Sequence, residues 1–310
     1  MKKPIKVAVI GVGAFGQNHA RIVSQLDDVH LVGVVDPDIA RCKEIADKLN
    51  TKYFDKYQEM AGQTDAVIIV TPTSFHYEVG SFFLSNGINV FIEKPIASNS
   101  SEAVKLVNLA KERSLTLKVG HIERFNPAFI SVRSIIRKPL FIEARGTSPF
   151  PERIKDTDVI MDMMIHDIDL VLDLAGSNAR DVKAFGMKVL SDRTDMAQAL
   201  IEFENGVVAN ITASRISPNK FRKIRIFEKD RFFSMDLLNK TAYFSEVEIE
   251  NQKKVLKTKT PEKIEIDSLR MELQDFFSAI RGERSSGVEG EAAASALKLA
   301  EMIVKEMRCL

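Results

Sequence analysis

Apolar positions follow two different patterns along the chain, and the change falls near Gly120. Before it, short apolar runs alternate with stretches whose apolar residues recur at helical spacing. Such runs predict buried strands, and the helical spacing predicts amphipathic helices. The predicted strands are Ile5–Ile10, His30–Val35, Ala66–Val70, Asn89–Glu93 and Leu115–Val119, and the clearest helices are Ile39–Leu49, Phe75–Ser85 and Ser101–Glu112. Because strands and helices alternate, we expect a parallel sheet covered on both faces.

The second part begins with helices over Asn126–Ile136 and Val159–Leu174 and continues with consecutive strands. Two of these, Ala197–Phe203 and Val207–Ala213, flank Asn205-Gly206, and Asn-Gly is a strong signal for a hairpin. The remaining predicted elements are strands over Lys223–Glu228, Arg231–Leu238 and Thr241–Ile249 and helices over Ser268–Ile280 and Glu291–Met307. This succession predicts an α+β domain with a mostly antiparallel sheet.

Composition and charge exclude several classes of protein. The 310 residues are 45% hydrophobic and 28% charged, which is ordinary for a globular protein. The formal net charge of +1 gives no long-range attraction to nucleic acid or to an anionic membrane. Only two cysteines, Cys42 and Cys309, are present, and this number fits a reducing compartment. With no targeting segment and no transmembrane stretch visible, we expect a soluble cytoplasmic protein.

A glycine-rich loop lies between the first strand and the first helix. Its sequence is Gly11-Val12-Gly13-Ala14-Phe15-Gly16. In a dinucleotide site, Gly11 allows the tight turn, Gly13 lets the backbone approach the pyrophosphate, and Gly16 permits close packing of helix and strand. The free N–H groups of the helix N-terminus then attract the phosphates. The alternative interpretation is an ordinary glycine turn followed by a carboxylate that caps a helix.

Asp36 ends the second strand, 20 residues after Gly16. An acid at this point accepts a hydrogen bond from the ribose 2′-hydroxyl and repels a 2′-phosphate, which favours NAD over NADP. We therefore predict an α/β fold of two domains. Residues 1–120 form an NAD-binding Rossmann domain with a doubly wound parallel sheet. Residues 121–310 form a substrate-binding and oligomerisation α+β domain with a mostly antiparallel open sheet.

Three further motifs follow in an order typical of one enzyme family. They are Thr71-Pro72-Thr73-Ser74-Phe75-His76, Glu93-Lys94-Pro95 and Asp162-Met163-Met164-Ile165-His166. With the glycine loop and the His19 that trails it, they resemble the Gfo/Idh/MocA family, which includes glucose–fructose oxidoreductase and inositol dehydrogenase. The resemblance implies an NAD cofactor and no metal. It also implies that Thr71, Ser74, His76 and Glu93 line the cofactor cleft, Glu93 by accepting from a ribose hydroxyl. For His76, a core histidine satisfied by backbone groups remains an alternative.

Two stretches carry a narrower resemblance within this family. Gly120–Ala128 and Met164–Asp169 are similar to the UDP-N-acetylglucosamine 3-dehydrogenases and related nucleotide-sugar dehydrogenases. Those enzymes oxidise a sugar 3-hydroxyl to a ketone, which a partner aminotransferase aminates. The resemblance thus implies the first step of 3-amino sugar synthesis, for lipid A or a surface polysaccharide. Asp158–Met161 departs from the family, many of whose members carry a glycine run before the aspartate that matches Asp162.

Alcohol oxidation needs a base near neutral pKa and a cation that stabilises developing alkoxide. Lys94 follows the end of a strand, where ligands bind in open α/β sheets. Asp162 and His166 are spaced i, i+4 and share a helix face. The resemblance favours His166 as the base and Asp162 as the residue that positions substrate or tunes His166. Lys94 remains an alternative base. The pattern alone fits an amphipathic helix with a solvated acidic edge, and we see no third ligand for a metal.

A nucleotide sugar also needs groups that hold its diphosphate. Arg124 and Asn126 lie in the stretch with the narrower resemblance, and a planar guanidinium suits phosphate. Arg153 and Arg215 are weaker candidates. Another basic cluster comprises Lys220, Arg222, Lys223 and Arg225, for which a solvated strand is the favoured interpretation.

Two other functions stay open at the level of sequence. One is an NAD-dependent dehydrogenase of a free polyol or aldose such as inositol, which would need no diphosphate clamp at Arg124. The other is a non-catalytic regulator that senses NAD, because a fold does not dictate a function. By resemblance, we also expect a homodimer or homotetramer formed through the sheet of the second domain.

Overall fold

A computed structural model describes residues 3–150 and 157–309 of the chain. Contacts between Cα atoms divide it into two compact units. The first consists of Met1–Ile122 and Leu269–Leu297, and the second consists of Glu123–Ser268 and Lys298–Leu310. The end of the first segment lies close to the boundary proposed at residue 120. The sequence did not indicate that a C-terminal segment, 269–297, returns to the first unit.

The first unit contains a seven-stranded sheet. Its strands are β1 (Ile5–Ile10), β2 (Val29–Val35), β3 (Lys52–Phe54), β4 (Ala66–Ile69), β5 (Asn89–Glu93), β6 (Leu117–Gly120) and β15 (Val288–Glu289). They lie in the order β15-β6-β5-β4-β1-β2-β3, and only β15 is antiparallel to its neighbour. From β3 to β6 this is the doubly wound order of a dinucleotide-binding fold, so the predicted fold class is confirmed.

Helices of the first unit pack on this sheet through apolar faces. They are α1 (Gly16–Val23), α2 (Ile39–Leu49), α3 (His76–Ser85), α4 (Ser100–Glu112) and α7 (Ser268–Ile280). Side-chain oxygens cap two of them, because Asp38 accepts from Arg41 N at the start of α2 and Asn99 accepts from Glu102 N at the start of α4. Phe276 and Phe277 of α7 lie in one buried cluster with strand residues such as Val7 and Phe91. Helix α7 is therefore part of this core.

The second unit contains a nine-stranded sheet. Its strands are β7 (Phe141–Thr147), β8 (Ala179–Met187), β9 (Met196–Phe203), β10 (Val208–Ser214), β11 (Phe221–Phe227), β12 (Arg231–Asp236), β13 (Thr241–Glu250), β14 (Lys253–Lys259) and β16 (Met307–Cys309). The order is β14-β13-β12-β11-β7-β10-β9-β8-β16, and only the β7–β10 and β8–β16 pairs are parallel. The hairpin predicted around Asn205-Gly206 is confirmed as β9–β10. The sequence did not indicate β7, β8, β14 or β16.

Two helices of the second unit are α5 (Pro127–Arg133) and α6 (Ile165–Ala175), and α8 (Gly290–Glu306) follows near the end of the chain. A turn of π-helix, Ile160–Met164, directly precedes α6. The single helix predicted over Val159–Leu174 is thus wrong in its first turn, where Ile165 N bonds to Ile160 O five residues back. In residues 3–150 and 157–309, none of the helices combines the length and the apolar character that crossing a membrane requires.

Candidate active site

The turn between β1 and α1 has the geometry of a phosphate-binding loop. Gly11 has a φ of +90° and its N–H donates to Val35 O at 2.7 Å. A Cβ on Gly16 would lie 1.8 Å from Gly11 O, so the turn closes only with glycine there. A Cβ on Gly13 would meet no atom within 4 Å among the described residues, so open space lies over the loop. No side chain in the described part of the chain caps the start of α1, and backbone carbonyls of the turn accept from Gln17 N at 3.1 Å and Asn18 N at 2.9 Å.

Asp36 is buried at the end of β2 and is held by three donors. Val12 N donates to its Oδ2 at 2.9 Å, while Asp38 N at 2.9 Å and Arg41 Nη2 at 2.7 Å donate to its Oδ1. Burial acts to raise the pKa of Asp36, but these hydrogen bonds outweigh it and the pKa lies below its usual value. A carboxylate offers about four acceptor positions, so one remains for a ribose hydroxyl.

The loops after β4 and β5 are joined by His76. This side chain is buried, with Nδ1 2.8 Å from Pro95 O and Nε2 2.9 Å from Thr71 O. Burial lowers the pKa of His76 and the two carbonyls oppose that effect only in part. The ring thus contacts backbone, as the alternative interpretation expected, and its role in cofactor binding stays a prediction.

Thr71 and Ser74 flank this junction. Thr71 Oγ1 is buried without a hydrogen-bond partner among the described residues, whereas Ser74 is exposed. A buried hydroxyl without a partner is costly unless a ligand or water supplies one. With the open space at Gly13 and the acceptor at Asp36, these features fit a bound dinucleotide.

Glu93 ends β5 next to Lys94. His19 Nε2 lies 3.0 Å from Glu93 Oε1, and Lys94 N donates to Oε2 at 3.1 Å. Gly120 makes room for this carboxylate, since a Cβ there would lie 2.9–3.0 Å from its atoms. Burial acts to raise the pKa of Glu93, but the contact with His19 and the Lys94 N–H and charge keep it below its usual value. The contact between His19 and Glu93 was missed at the level of sequence, although both belong to the family motifs.

In the second unit, Asp162 and His166 lie on consecutive turns. Asp162 belongs to the π-helical turn and His166 to the first turn of α6, and both are partly buried. Asp158 Oδ1 accepts from Met161 N at 2.8 Å and caps the start of this segment. π turns are rare and frequently occur at functional sites, so the local geometry marks this pair.

The acidic residues of α6 do not form the solvated edge that the pattern suggested. Asp169 is buried, and Arg124 donates to both of its carboxylate oxygens, at 2.6 Å from Nε and 3.0 Å from Nη2. Arg124 also pairs with Asp173, which pairs in turn with Arg133. The charges of this helix are thus compensated by arginines of the preceding segment.

These contacts bear on the residues predicted to hold a diphosphate. Arg124 is occupied by the two carboxylates of α6, and Asn126 caps α5 by accepting from Ala128 N at 3.0 Å. Arg215 is fully buried and donates to Asp195 Oδ1 at 2.9 Å and Thr157 O at 2.6 Å. Arg153 lies outside the described residues. The roles of these four residues in substrate binding stay predictions, which the observed pairings do not favour for Arg124 and Arg215.

Comparison with known proteins places these features in context. Residues 5–121 match the family model GFO_IDH_MocA, described as an oxidoreductase family with an NAD-binding Rossmann fold, and residues 132–230 match the GFO/IDH/MocA C-terminal domain. The chain is 36% identical to UDP-N-acetylglucosamine 3-dehydrogenase of Acidithiobacillus ferrooxidans, over 96% of this chain and 95% of that protein. A crystal structure of that enzyme superimposes with a TM-score of 0.92, covering 99% of this chain and 98% of that one. The scyllo-inositol 2-dehydrogenase (NAD(+)) of Bacillus subtilis is 31% identical over 70% of this chain and 69% of its own.

Proposed function

Because this chain belongs to the Gfo/Idh/MocA family of NAD-dependent dehydrogenases, we propose that it oxidises the 3-hydroxyl of a UDP-sugar, UDP-N-acetylglucosamine, to the 3-keto sugar. The observation that carries this proposal is the 36% identity to UDP-N-acetylglucosamine 3-dehydrogenase along nearly the full length of both chains. The inositol dehydrogenases among the relatives match with lower identity, 31% or less.

Bound NAD supplies the hydride acceptor for this chemistry. The protein's part is to remove the hydroxyl proton and to stabilise charge on the oxygen as the C3–H bond breaks. We assign proton removal to the His166 imidazole and charge stabilisation to the Lys94 ammonium. Asp162, one turn before His166, orients the substrate or the imidazole. Lys94 remains the alternative base.

On the cofactor side, each residue has a role that its surroundings support. Asp36 accepts from the ribose 2′-hydroxyl with its remaining acceptor position, and its negative charge disfavours a 2′-phosphate. Gly11, Gly13 and Gly16 form the loop that approaches the pyrophosphate. Glu93 and Thr71 present a carboxylate and a buried hydroxyl to the ribose on the nicotinamide side.

A second candidate is oxidation of a free polyol such as inositol. The observation that favours it is the pairing of Arg124 with Asp169 and Asp173, because a guanidinium held by two carboxylates is a poor diphosphate ligand. Membership of an enzyme family leaves the third possibility, a non-catalytic NAD sensor, without support.

The cellular setting is also a proposal. A 3-keto sugar is a substrate for an aminotransferase, so we place the reaction before amination in 3-amino sugar synthesis for lipid A or a surface polysaccharide. Cys42 and Cys309 are free thiols, which supports a cytoplasmic location.

The proposed substrate is tested by mixing the protein with NAD and UDP-N-acetylglucosamine and following NADH absorbance. A carbonyl trap pulls the reaction forward, and N-acetylglucosamine, glucose and inositol run in parallel. We expect NADH only with the nucleotide sugar. Turnover of a free sugar in its place would transfer the assignment to the second candidate.

The role of His166 is tested by His166→Asn. We expect kcat to fall by about 10²- to 10⁴-fold, the usual contribution of a general base, while the Kd for NAD stays within about twofold. His30→Asn is the matched control, because His30 is exposed on β2 of the other unit. Near-normal turnover in His166→Asn would show that another group is the base, and Lys94 would be the next residue to test.

A further inference from the structure

Arg222 stands on the buried face of a strand whose other basic residues face outwards. Along β11, Ile224 and Ile226 are fully buried, so positions 222, 224 and 226 share the inner face. Lys223 and Arg225 lie on the opposite face in partly exposed pairs with Asp236 and Glu143. The basic cluster expected to be a solvated strand is thus divided by strand alternation, and one of its charges points inwards.

The guanidinium of Arg222 contacts residues that precede and follow His166 in the sequence. Its Nε and Nη2 donate to Asp167 Oδ1 at 3.0 and 2.9 Å, and Nη2 also lies 3.5 Å from Met163 O. Its Nη1 donates to Glu123 Oε1 at 3.0 Å. Met163 belongs to the π-helical turn and Asp167 to the first turn of α6, so Arg222 ties to the sheet both the turn that contains His166 and the turn before it.

Asp167 has little freedom to move. It is 1% exposed, and its Oδ2 lies 3.2 Å from the point where a Cβ on Gly146 would stand. Gly146 of β7 pairs with Arg222 of β11, so the sheet lacks a side chain where the carboxylate docks. No donor among the described residues reaches Oδ2, and burial raises the pKa of Asp167 although the charge of Arg222 opposes this. Arg222 therefore supplies both hydrogen bonds that hold this carboxylate in the described part of the chain.

Fixing Asp167 fixes the direction of His166. Successive side chains of an α-helix project about 100° apart around the axis, so a helix that is locked at residue 167 is locked at residue 166. The preceding turn is π-helical, with a hydrogen bond that spans five residues, so its side chains are spaced differently from those of α6. The contacts of Arg222 with Met163 and Asp167 add to the packing of the buried Met164 and Ile165 where the two turns meet.

We propose that Arg222, acting through Asp167, is a positioning residue that sets the orientation of the His166 imidazole. Glu123 accepts a hydrogen bond from Nη1 of Arg222 and so helps to orient the guanidinium. The consequence for catalysis rests on the proposed role of His166 as the base, whereas the orientation itself does not.

The orientation is tested without any assay of activity. The chain has five histidines, so isotope-labelled histidine gives five imidazole signals by NMR, and His166→Asn identifies the one from His166. We expect Arg222→Gln to shift the His166 signal, and Arg222→Lys to bring it part of the way back to its wild-type position. Arg225→Gln, on the same strand but the opposite face, is the control and leaves the signal in place. A His166 signal that is unchanged in Arg222→Gln would overturn the proposal, and if that variant does not fold, an unchanged signal in Arg222→Lys would do so.

Turnover gives the second test. We expect Arg222→Gln to lower kcat by about 10- to 100-fold, as misplacement of a catalytic group by a fraction of an ångström to an ångström does. The Kd for NAD should stay within about twofold. In a His166→Asn background the same substitution should have no further effect, because both changes remove one function. If the two substitutions lowered kcat independently, so that their fold-changes multiplied, Arg222 would not act through His166. Absence of turnover in the wild type would refute the proposed function and leave the NMR result to decide the orientation.

Discussion

Glu93 shows how a single ionised side chain depends on its neighbours. Its carboxylate lies against His19 and the N–H of Lys94, and these contacts hold the pKa of Glu93 below the usual value of 4.5 although burial acts to raise it. A lowered pKa means that the folded state favours the ionised form. The contribution to stability is thus present above about pH 4.5 and is lost as the pH falls through the folded-state pKa.

Glu93→Gln should therefore be less stable than the wild type at neutral pH and approach it in acid. The measurement is the free energy of unfolding in urea at several values between about pH 7 and pH 3. Glu59→Gln serves as control, because Glu59 is exposed at the surface. A difference for Glu93→Gln that stays constant with pH would show that the carboxylate is not stabilised in the fold.

We expect the choice between NAD and NADP to depend on Asp36, because Arg41 lies beside it. Its guanidinium is about half exposed and donates to Asp36 Oδ1. In Asp36→Ser the repulsive charge is removed and Arg41 becomes available to a 2′-phosphate. We expect the ratio of the Kd for NADPH to that for NADH to fall by about 10- to 100-fold, which corresponds to one charge-assisted hydrogen bond. Fluorescence titration with NADH and NADPH measures this, and Asp36→Ser with Arg41→Ala should lose the gain.

At the scale of elements, two glycines of the β1–α1 turn, Gly13 and Gly16, differ in what an added side chain would meet. Gly16 is needed by the fold, since a Cβ there would stand 1.8 Å from Gly11 O. Gly13 faces open space, so a Cβ there would meet no atom of the described residues within 4 Å. The two alanine variants therefore differ in what they damage.

Gly13→Ala should keep its melting temperature and weaken NAD binding at least about tenfold, because the new methyl group occupies the space of the approaching pyrophosphate. Gly16→Ala should lose about 1–3 kcal/mol of stability or more, since the clash is with backbone. Thermal unfolding and NAD titration on both variants give the comparison. Equal stability of the two would show that the turn adapts.

At the scale of the whole molecule, four aromatic rings form a row on one face of the second unit's sheet. Phe141, Phe227, Phe232 and Tyr243 follow one another at centroid distances of 5.8, 5.0 and 6.0 Å, and Phe227 and Tyr243 are about 40% exposed. An exposed aromatic row of this kind is typical of a protein interface. We therefore propose that a second copy of the chain covers this face in a homodimer or homotetramer.

Phe227→Lys should dissociate that assembly, because it places a charge in the middle of the row. Light scattering after size exclusion measures the mass, which should fall to half or less of the wild-type value and to 34.7 kDa if the wild type is a dimer. Tyr53→Lys, at an exposed aromatic on β3 of the first unit, is the control and should not change the mass. A wild type that is already monomeric, or a variant that stays assembled, would contradict the proposal.

The sequence by itself determined the features that depend on local pattern. The glycine loop, Asp36, the alternation of strands and helices and the β9–β10 hairpin were all predictable, because each depends on the conformations of neighbouring residues or on a repeat within one element. The family motifs likewise indicated Lys94, Asp162 and His166, since each motif is a short run of adjacent residues.

Only the tertiary structure decided which charges meet. Arg222 and Asp167 are 55 residues apart, and Arg124 and Asp169 are 45 apart, so no local pattern pairs them. The π-helical turn before His166 also escaped prediction, since its apolar spacing resembles that of an α-helix. Whether a charged residue faces solvent or a buried partner depends on the elements that pack against it, and that information exists only once the sheet and helix are assembled.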